Sequence, residues 1–204
     1  CSLGRMIAPD VKNITELDAT EAMLEAGKAE NEKAGITNAG YVIGEAEAMP
    51  FSDGSFDIVV SRLAFHHFED VEKAFSEMTR VLRPGGRLLV ADMLAREGSD
   101  REKAEHYERL RDPSHVRCLD CEEFKSLAEK YDIAVEWESI TAIEMELDSW
   151  LELTGASEDK RKNIISDMKR DTTEKNITGF SPYIKNGKIF FDHRWYLLIG
   201  RKKV

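Results

Sequence analysis

Apolar residues along the first half of the chain switch repeatedly between two spacings. Blocks in which they run together or alternate read as strands, and blocks with a spacing of three to four read as helices. Val11 to Asp18 reads as a short strand ending on an acid. Thr20 is placed to cap the helix that follows, through Met23, Leu24 and Ala26 to a stop near Gly35. Gly40 to Glu45 gives a second strand and Phe56 to Arg62 a third, whose Ile58-Val59-Val60 run suits burial on both faces. Val71, Phe75, Met78 and Leu82 then recur at helical spacing before the breaker Arg83-Pro84-Gly85-Gly86. Leu88-Leu89-Val90-Ala91 is a fourth buried strand, closing at Asp92. Strands alternating with helices imply right-handed crossovers, and so an α/β fold with a mostly parallel sheet covered on both sides.

The second half follows another rhythm. Ser99 to Arg111 reads as a charged helix stopped by Pro113, and Asp120 to Tyr131 as a further helix. Asp120 and Glu123 have the spacing of a capping box ahead of Phe124, Leu127, Ala128 and Tyr131. Ala134 to Leu147 alternates as a strand does, and residues 148–177 read as two or three short helices. Asn186-Gly187, between Pro182-Tyr183-Ile184 and the run Ile189 to Ile199, signals an antiparallel hairpin, expected at one edge of the sheet. No repeat, low-complexity tract or linker divides the chain, so 1–204 is read as one domain. Residues 1–98 are read as its alternating strand–helix half, 99–180 as a helical cap with an edge strand, and 181–204 as the hairpin.

Composition narrows the function. The 29 Lys+Arg against 39 Asp+Glu give a formal net charge of -10. That balance opposes nucleic acid and anionic membrane surfaces, so neither is an expected partner. No apolar run approaches the ~20 residues of a membrane span. The three cysteines are too few for a disulfide framework, and the opening residues lack the pattern of a secretory or transit peptide, which makes a cytoplasmic setting the expectation. Cys118 and Cys121 form a C-x-x-C three residues after His115. A zinc half-site or redox pair is one reading, and the plain entry to a capped helix is the other; with only two ligands in the motif no metal is assigned.

Open parallel sheets bind ligands at the carboxyl ends of their strands, and Asp18, Glu45 and Asp92 all lie at or near such ends. Between them stand three ordered blocks: G-E-A-E-A-M-P-F-S-D-G-S-F-D at 44–57, I-V-V-S-R-L-A-F-H-H-F at 58–68 and R-V-L-R-P-G-G-R-L-L-V at 80–90. These blocks resemble the class I S-adenosylmethionine-dependent methyltransferases, in particular the small-molecule group related to ubiquinone and menaquinone methyltransferases. The segment R-L-R-D-P-S-H-V-R at 109–117 and the C-terminal hairpin also resemble members of that group.

The resemblance implies a Rossmann-like fold, S-adenosylmethionine as cofactor and a small-molecule methyl acceptor, whose O, N, S or C nucleophile it leaves open. It makes Asp18 the acceptor for the ribose hydroxyls. Glu45 and Ala46 fall beside the adenine, Ala46 through its backbone amide, and Ser61 and Arg62 under the methionine end. His66 and His67, just past the central strand, are candidates for a general base, against the alternative that one packs in the core and the other shapes the wall. His115 with Arg111 and Arg117 would bind an anionic substrate group or simply tie the loop down. Pro50 and Arg83-Pro84-Gly85-Gly86 are read as shaping turns.

The chain departs from the family at its start. Of the glycine-rich loop only Cys1-Ser2-Leu3-Gly4-Arg5 corresponds, with Gly4 in the place of the last glycine and Ser2 where the middle glycine stands. A side chain at that middle position is expected to crowd the methionine moiety. The family's first strand, between Val11–Asp18 and Phe56–Arg62, is missing from this chain and is expected to be encoded upstream. Only if the protein really starts at Cys1 should those two strands close on each other or pair with a second chain, with the cofactor site empty. Two other readings stay open. One is a non-catalytic cofactor binder; the other is an NAD-dependent oxidoreductase, which Asp18 suits but which lacks its G-x-G-x-x-G.

Overall fold

The computed structural model describes residues 2–204, without the side chain of Ser2. Cys1 and the expected crowding by the Ser2 side chain therefore lie outside the described residues. The elements in order are α1 (Ser2–Ile7), β1 (Ile14–Asp18), α2 (Glu21–Lys33), β2 (Ala39–Ile43), β3 (Phe56–Arg62), α3 (Val71–Val81) and β4 (Leu82–Met93). They continue with α4 (Asp100–Arg111), α5 (Cys121–Lys130), β5 (Ile133–Glu146), α6 (Leu147–Glu152), α7 (Glu158–Glu174), β6 (Tyr183–Lys185) and β7 (Lys188–Lys202).

The strands form two ladders. β1 and β2 pair in parallel, from Ile14 beside Ala39 to Asp18 beside Ile43. The larger sheet has the order β3-β4-β7-β5, with β3 and β4 parallel and β7 antiparallel to both β4 and β5. β1 and β3 do not close on each other: among the described residues no ladder joins them. β1 also starts later than its apolar pattern implies. The Asn38 side chain donates to the carbonyls of Ala8 and Val11 at 3.0 Å each, so a side chain satisfies that backbone where a ladder was expected.

The hairpin forms with Asn186 and Gly187 both at positive φ, 52° and 77°, as a tight two-residue turn requires. Its place differs from expectation. β7 is interior to the sheet and β5 takes the edge, because β7 is long enough to bind β4 through Arg87–Met93 and β5 through Ile133–Glu146. The breaker at Arg83–Gly86 bulges out between the pairs Phe56–Leu82 and Ile58–Arg87, which resets the register of β4. A Cβ on Gly86 would come within 2.9 Å of the Asp57 and Arg83 carbonyls, so only glycine fits that bulge.

Two cores hold the fold. α3 turns Phe75, Met78 and Val81 inward, and α5 sets Phe124 and Ala128 against Leu88, Val90 and Leu198 of the same sheet face. Full burial of a ring such as Phe75 or Phe124 is worth about 1.5–3 kcal/mol. The α5 capping box is present, with Asp120 accepting from the Glu123 amide and Glu123 from the Asp120 amide, each at 2.9 Å. The second core joins α4, α6 and α7 through Tyr107, Trp150, Ile164 and Met168 to Phe191 of β7. Phe191 lies on the stretch of β7 that runs past Trp195, the partner of the last β4 residue Met93, so this core sits beyond the carboxyl end of β4. α4, α6 and α7 thus take the position expected of a cap. α5 does not, since its apolar stripe covers the sheet face.

Candidate functional site

The cofactor candidates fall in two groups. At the ends of β1 and β2, the Gly44 amide donates to the Asp18 carbonyl at 3.0 Å, which places Asp18 and Glu45 on adjoining strand ends. One oxygen of the Asp18 carboxylate accepts the Thr20 amide at 2.8 Å. Glu45 is exposed, and Ala46 begins a short turn, Ala46–Ala48. The chain after that turn is pinned to α3: Glu77 accepts the Met49 amide at 2.9 Å, while Arg80 donates to the carbonyls of Met49 at 3.0 Å and Phe51 at 2.7 Å. Since α3 follows β3, this clamp ties the first group to the second.

Gly4 lies inside α1 against β1, where an added Cβ would press on the Glu16 carboxylate. Ser61 is buried near the end of β3, and its hydroxyl has no hydrogen-bond partner. A buried hydroxyl left unmet in such a place costs about 1–3 kcal/mol. Arg62 turns toward β7, with its guanidinium 5.3 Å from the centre of the Trp195 ring.

Asp92 organises the second group. Fully buried at the end of β4, it accepts the amides of Ala64 at 2.7 Å, Phe65 at 2.9 Å and Met93 at 2.8 Å. It also meets His66 Nδ1 at 2.6 Å. The carboxylate thus fixes the turn Phe65–His67 and aims its first histidine. His67 packs against His66 with ring centres 4.0 Å apart and planes tilted by 49°, and its Nδ1 lies 3.1 Å from the Ser114 carbonyl. Burial, aided by the neighbouring His66, holds the His67 pKa below the ordinary histidine range.

The third expected constellation does not converge. His115 pairs with Glu105 at 2.7 Å, Arg117 with Glu123 at 2.6 Å, and Arg111 with Glu108 at 3.2 Å while stacking on Trp150 at 4.6 Å. Each of the three side chains already faces a carboxylate, so they form no common anion site. Cys118 is buried and Cys121 opens α5, and the two are free thiols. Glu105 and Glu108 escape a sequence reading because acids on a charged helix look solvated. The one signal was their place on the face of α4 that also carries Ala104, Tyr107 and Arg111.

Comparison with known proteins adds the family. The model for a methyltransferase domain matches residues 1–90. The uncharacterized methyltransferase YcgJ of Bacillus subtilis is 34% identical over 198 residues, 96% of this chain and 78% of that protein. Its crystal structure superposes with a TM-score of 0.86 at 33% identity, covering 97% of this chain and 86% of that one. A second solved structure, from Bacillus halodurans, gives a TM-score of 0.88 at 30% identity, over 100% of this chain and 88% of the other. The ubiquinone/menaquinone biosynthesis C-methyltransferase of Shewanella halifaxensis is 38% identical over 87 residues, 42% of this chain and 35% of that protein. With strand-end acids, a buried His–Asp pair past the third strand and relatives of this extent, the chain belongs to the S-adenosylmethionine-dependent methyltransferases.

Proposed function

We propose that the methyl acceptor is a small molecule held beneath α4, α6 and α7, and that His66 takes its proton. The observation that carries this reading is the buried 2.6 Å contact between His66 Nδ1 and Asp92. Donation of the Nδ1 proton to that carboxylate leaves the lone pair on Nε2, the arrangement of a general base whose ring is fixed by an acid. When bound, S-adenosylmethionine supplies an electrophilic methyl group on a sulfonium. The residues at the strand ends fit it: Asp18 for the ribose hydroxyls, Glu45 and the Ala46 amide for the adenine, and the unmet Ser61 hydroxyl with Arg62 for the methionine end. His67 lines the wall beside His66. Alignment of acceptor and methyl then supplies much of the rate, up to roughly 7–11 kcal/mol in the best cases.

The proposed organisation is one domain, with a cofactor half over 1–98, a cap and edge strand over 99–180 and a hairpin over 181–204. The net charge of -10 argues against a nucleic-acid acceptor, and a cytoplasmic setting suits the free thiols. No helix among the described residues is long and apolar enough to cross a membrane.

The test is a methyl-transfer screen over phenols, quinones, amines, thiols and carbon acids, followed by variants on any acceptor found. His66→Gln should lower kcat by about 10²–10⁴ and leave S-adenosylhomocysteine affinity unchanged. Asp18→Ala should weaken that affinity at least tenfold, a loss of about 1.5–3 kcal/mol from one charge-assisted bond. Full turnover by His66→Gln would overturn the base assignment, and unchanged affinity in Asp18→Ala the ribose assignment.

A further inference from the structure

α4 and the loop after it bring three unlike donors into one buried spot. Glu105, His115 and Cys118 are 8%, 3% and 6% exposed, and their donor atoms all lie within 4.8 Å of one another. The Glu105 carboxylate lies 2.7 Å from His115 Nε2 and accepts the Cys118 amide at 2.7 Å. His115 Nδ1 is buried without a partner. A thiol, an imidazole and a carboxylate together form the donor set of a borderline divalent cation. Zinc, at about 2.0–2.3 Å from each ligand, sets such donors about 3.3–3.6 Å apart. A side-chain adjustment on the order of 1 Å reaches that geometry from the present one.

We propose that Glu105, His115 and Cys118 form a site for a zinc-class divalent cation, with water in the fourth position. Cys121 takes no part, so the site uses only half of the C-x-x-C and draws its carboxylate from α4. The competing cation is Arg109, half exposed, which lies 3.5 Å from Glu105 and donates to the Val116 carbonyl at 3.2 Å, and which a bound cation would displace from the carboxylate. Binding forms a metal–sulfur bond as the Cys118 thiol proton leaves to solvent. The Nε2 proton of His115 passes to Nδ1, which has no hydrogen bond to lose, so one proton is released per cation. The site also reaches toward the turn that carries the candidate base. The Val116 amide, next to His115, donates to the His66 carbonyl at 2.8 Å, and the His66 and His115 rings are 5.6 Å apart. The cation would lock the loop 112–119 behind His66.

The test uses the full chain, stripped with a chelator and titrated with Zn2+ by calorimetry and with Co2+ by absorbance. The expected result is one equivalent of either ion, with a thiolate-to-cobalt charge-transfer band and a Zn2+-dependent rise in Tm. Cys118→Ser should abolish the band, and Glu105→Gln should weaken binding at least about tenfold. Cys121→Ser should change neither. Absence of saturable binding by the unaltered chain overturns the site whether or not the variants fold, and so does a band that survives Cys118→Ser.

Discussion

Replacing Asp92 by Asn tests the centre of the site through stability alone. The carboxylate accepts three backbone amides and meets one imidazole nitrogen, at 2.6–2.9 Å. Ala64 and Phe65 bond to one oxygen, while Met93 and His66 share the other. Asn is neutral and keeps a single acceptor oxygen, so all four contacts lose the charge and, whichever way the amide turns, two of them lose their acceptor and face an N–H₂ group. Hydrogen bonds to charged groups are worth about 1.5–3 kcal/mol each, so the loss is about 3–6 kcal/mol. Against a net stability of ~5–15 kcal/mol this is a large fraction of the total. Equilibrium unfolding in urea, compared at equal m, measures it. Asp57→Asn is the control: its ion pair with Arg83 is exposed on both sides, and its removal should cost less than about 1 kcal/mol. A loss in Asp92→Asn no larger than in Asp57→Asn would refute the view of Asp92 as the anchor of the turn.

Two further outcomes follow from local geometry. Burial would raise the Asp171 pKa, but the amides of Ile177 and Thr178 and the Thr178 hydroxyl outweigh it and hold the carboxyl below its ordinary range. A folded pKa below the unfolded one stabilises the protein above the usual aspartate pKa of about 3.9 and ceases to do so as pH falls through the folded value. The pH dependence of urea unfolding in acid should therefore flatten in Asp171→Asn, and an unchanged slope would refute it. Gly187→Ala places a Cβ at φ 77° and should cost about 1–2 kcal/mol in the same assay, whereas Gly155→Ala, in open space at ordinary φ, should not.

What the sequence shows plainly is local. The Asp120–Glu123 box and the Asn186-Gly187 turn depend on neighbours a few residues apart, and both form as read. β3 spans Phe56–Arg62 as its apolar run indicates, but it is not buried on both faces: Ile58 is exposed and Val59 and Val60 are half-buried, because β3 ends the larger sheet. The misses are non-local. The alternation of 189–199 marks a strand but carries no sign that β4 and β5 will take opposite sides of it. The pattern at Val11 cannot show that the Asn38 side chain will claim its carbonyl from 27 residues away. At the site, the strand-end position of Asp92 was legible, but its four contacts were not, because two of its donors sit in a turn that the fold alone brings to it. Glu105 was hidden because a buried acid on a helix as charged as Asp100–Arg111 is visible only once His115 and the Cys118 amide are set against it.

The interior place of β7 also governs synthesis. β4 ends at Met93 and must wait until Lys188–Lys202 is made before its second edge is paired. A ribosome adding ~5–20 residues per second needs about 5–20 s to cover that interval. Throughout it the nascent chain carries an open edge beside the apolar run Leu88–Val90, the kind of surface on which unfinished chains stick to one another. The edge strand β5 cannot shield β4, because it reaches the sheet only through β7. Yield of folded protein should therefore respond to translation speed and to chaperone supply more than the stability of the finished sheet would indicate. Circularly permuted chains that place β7 ahead of β4 should relieve that dependence.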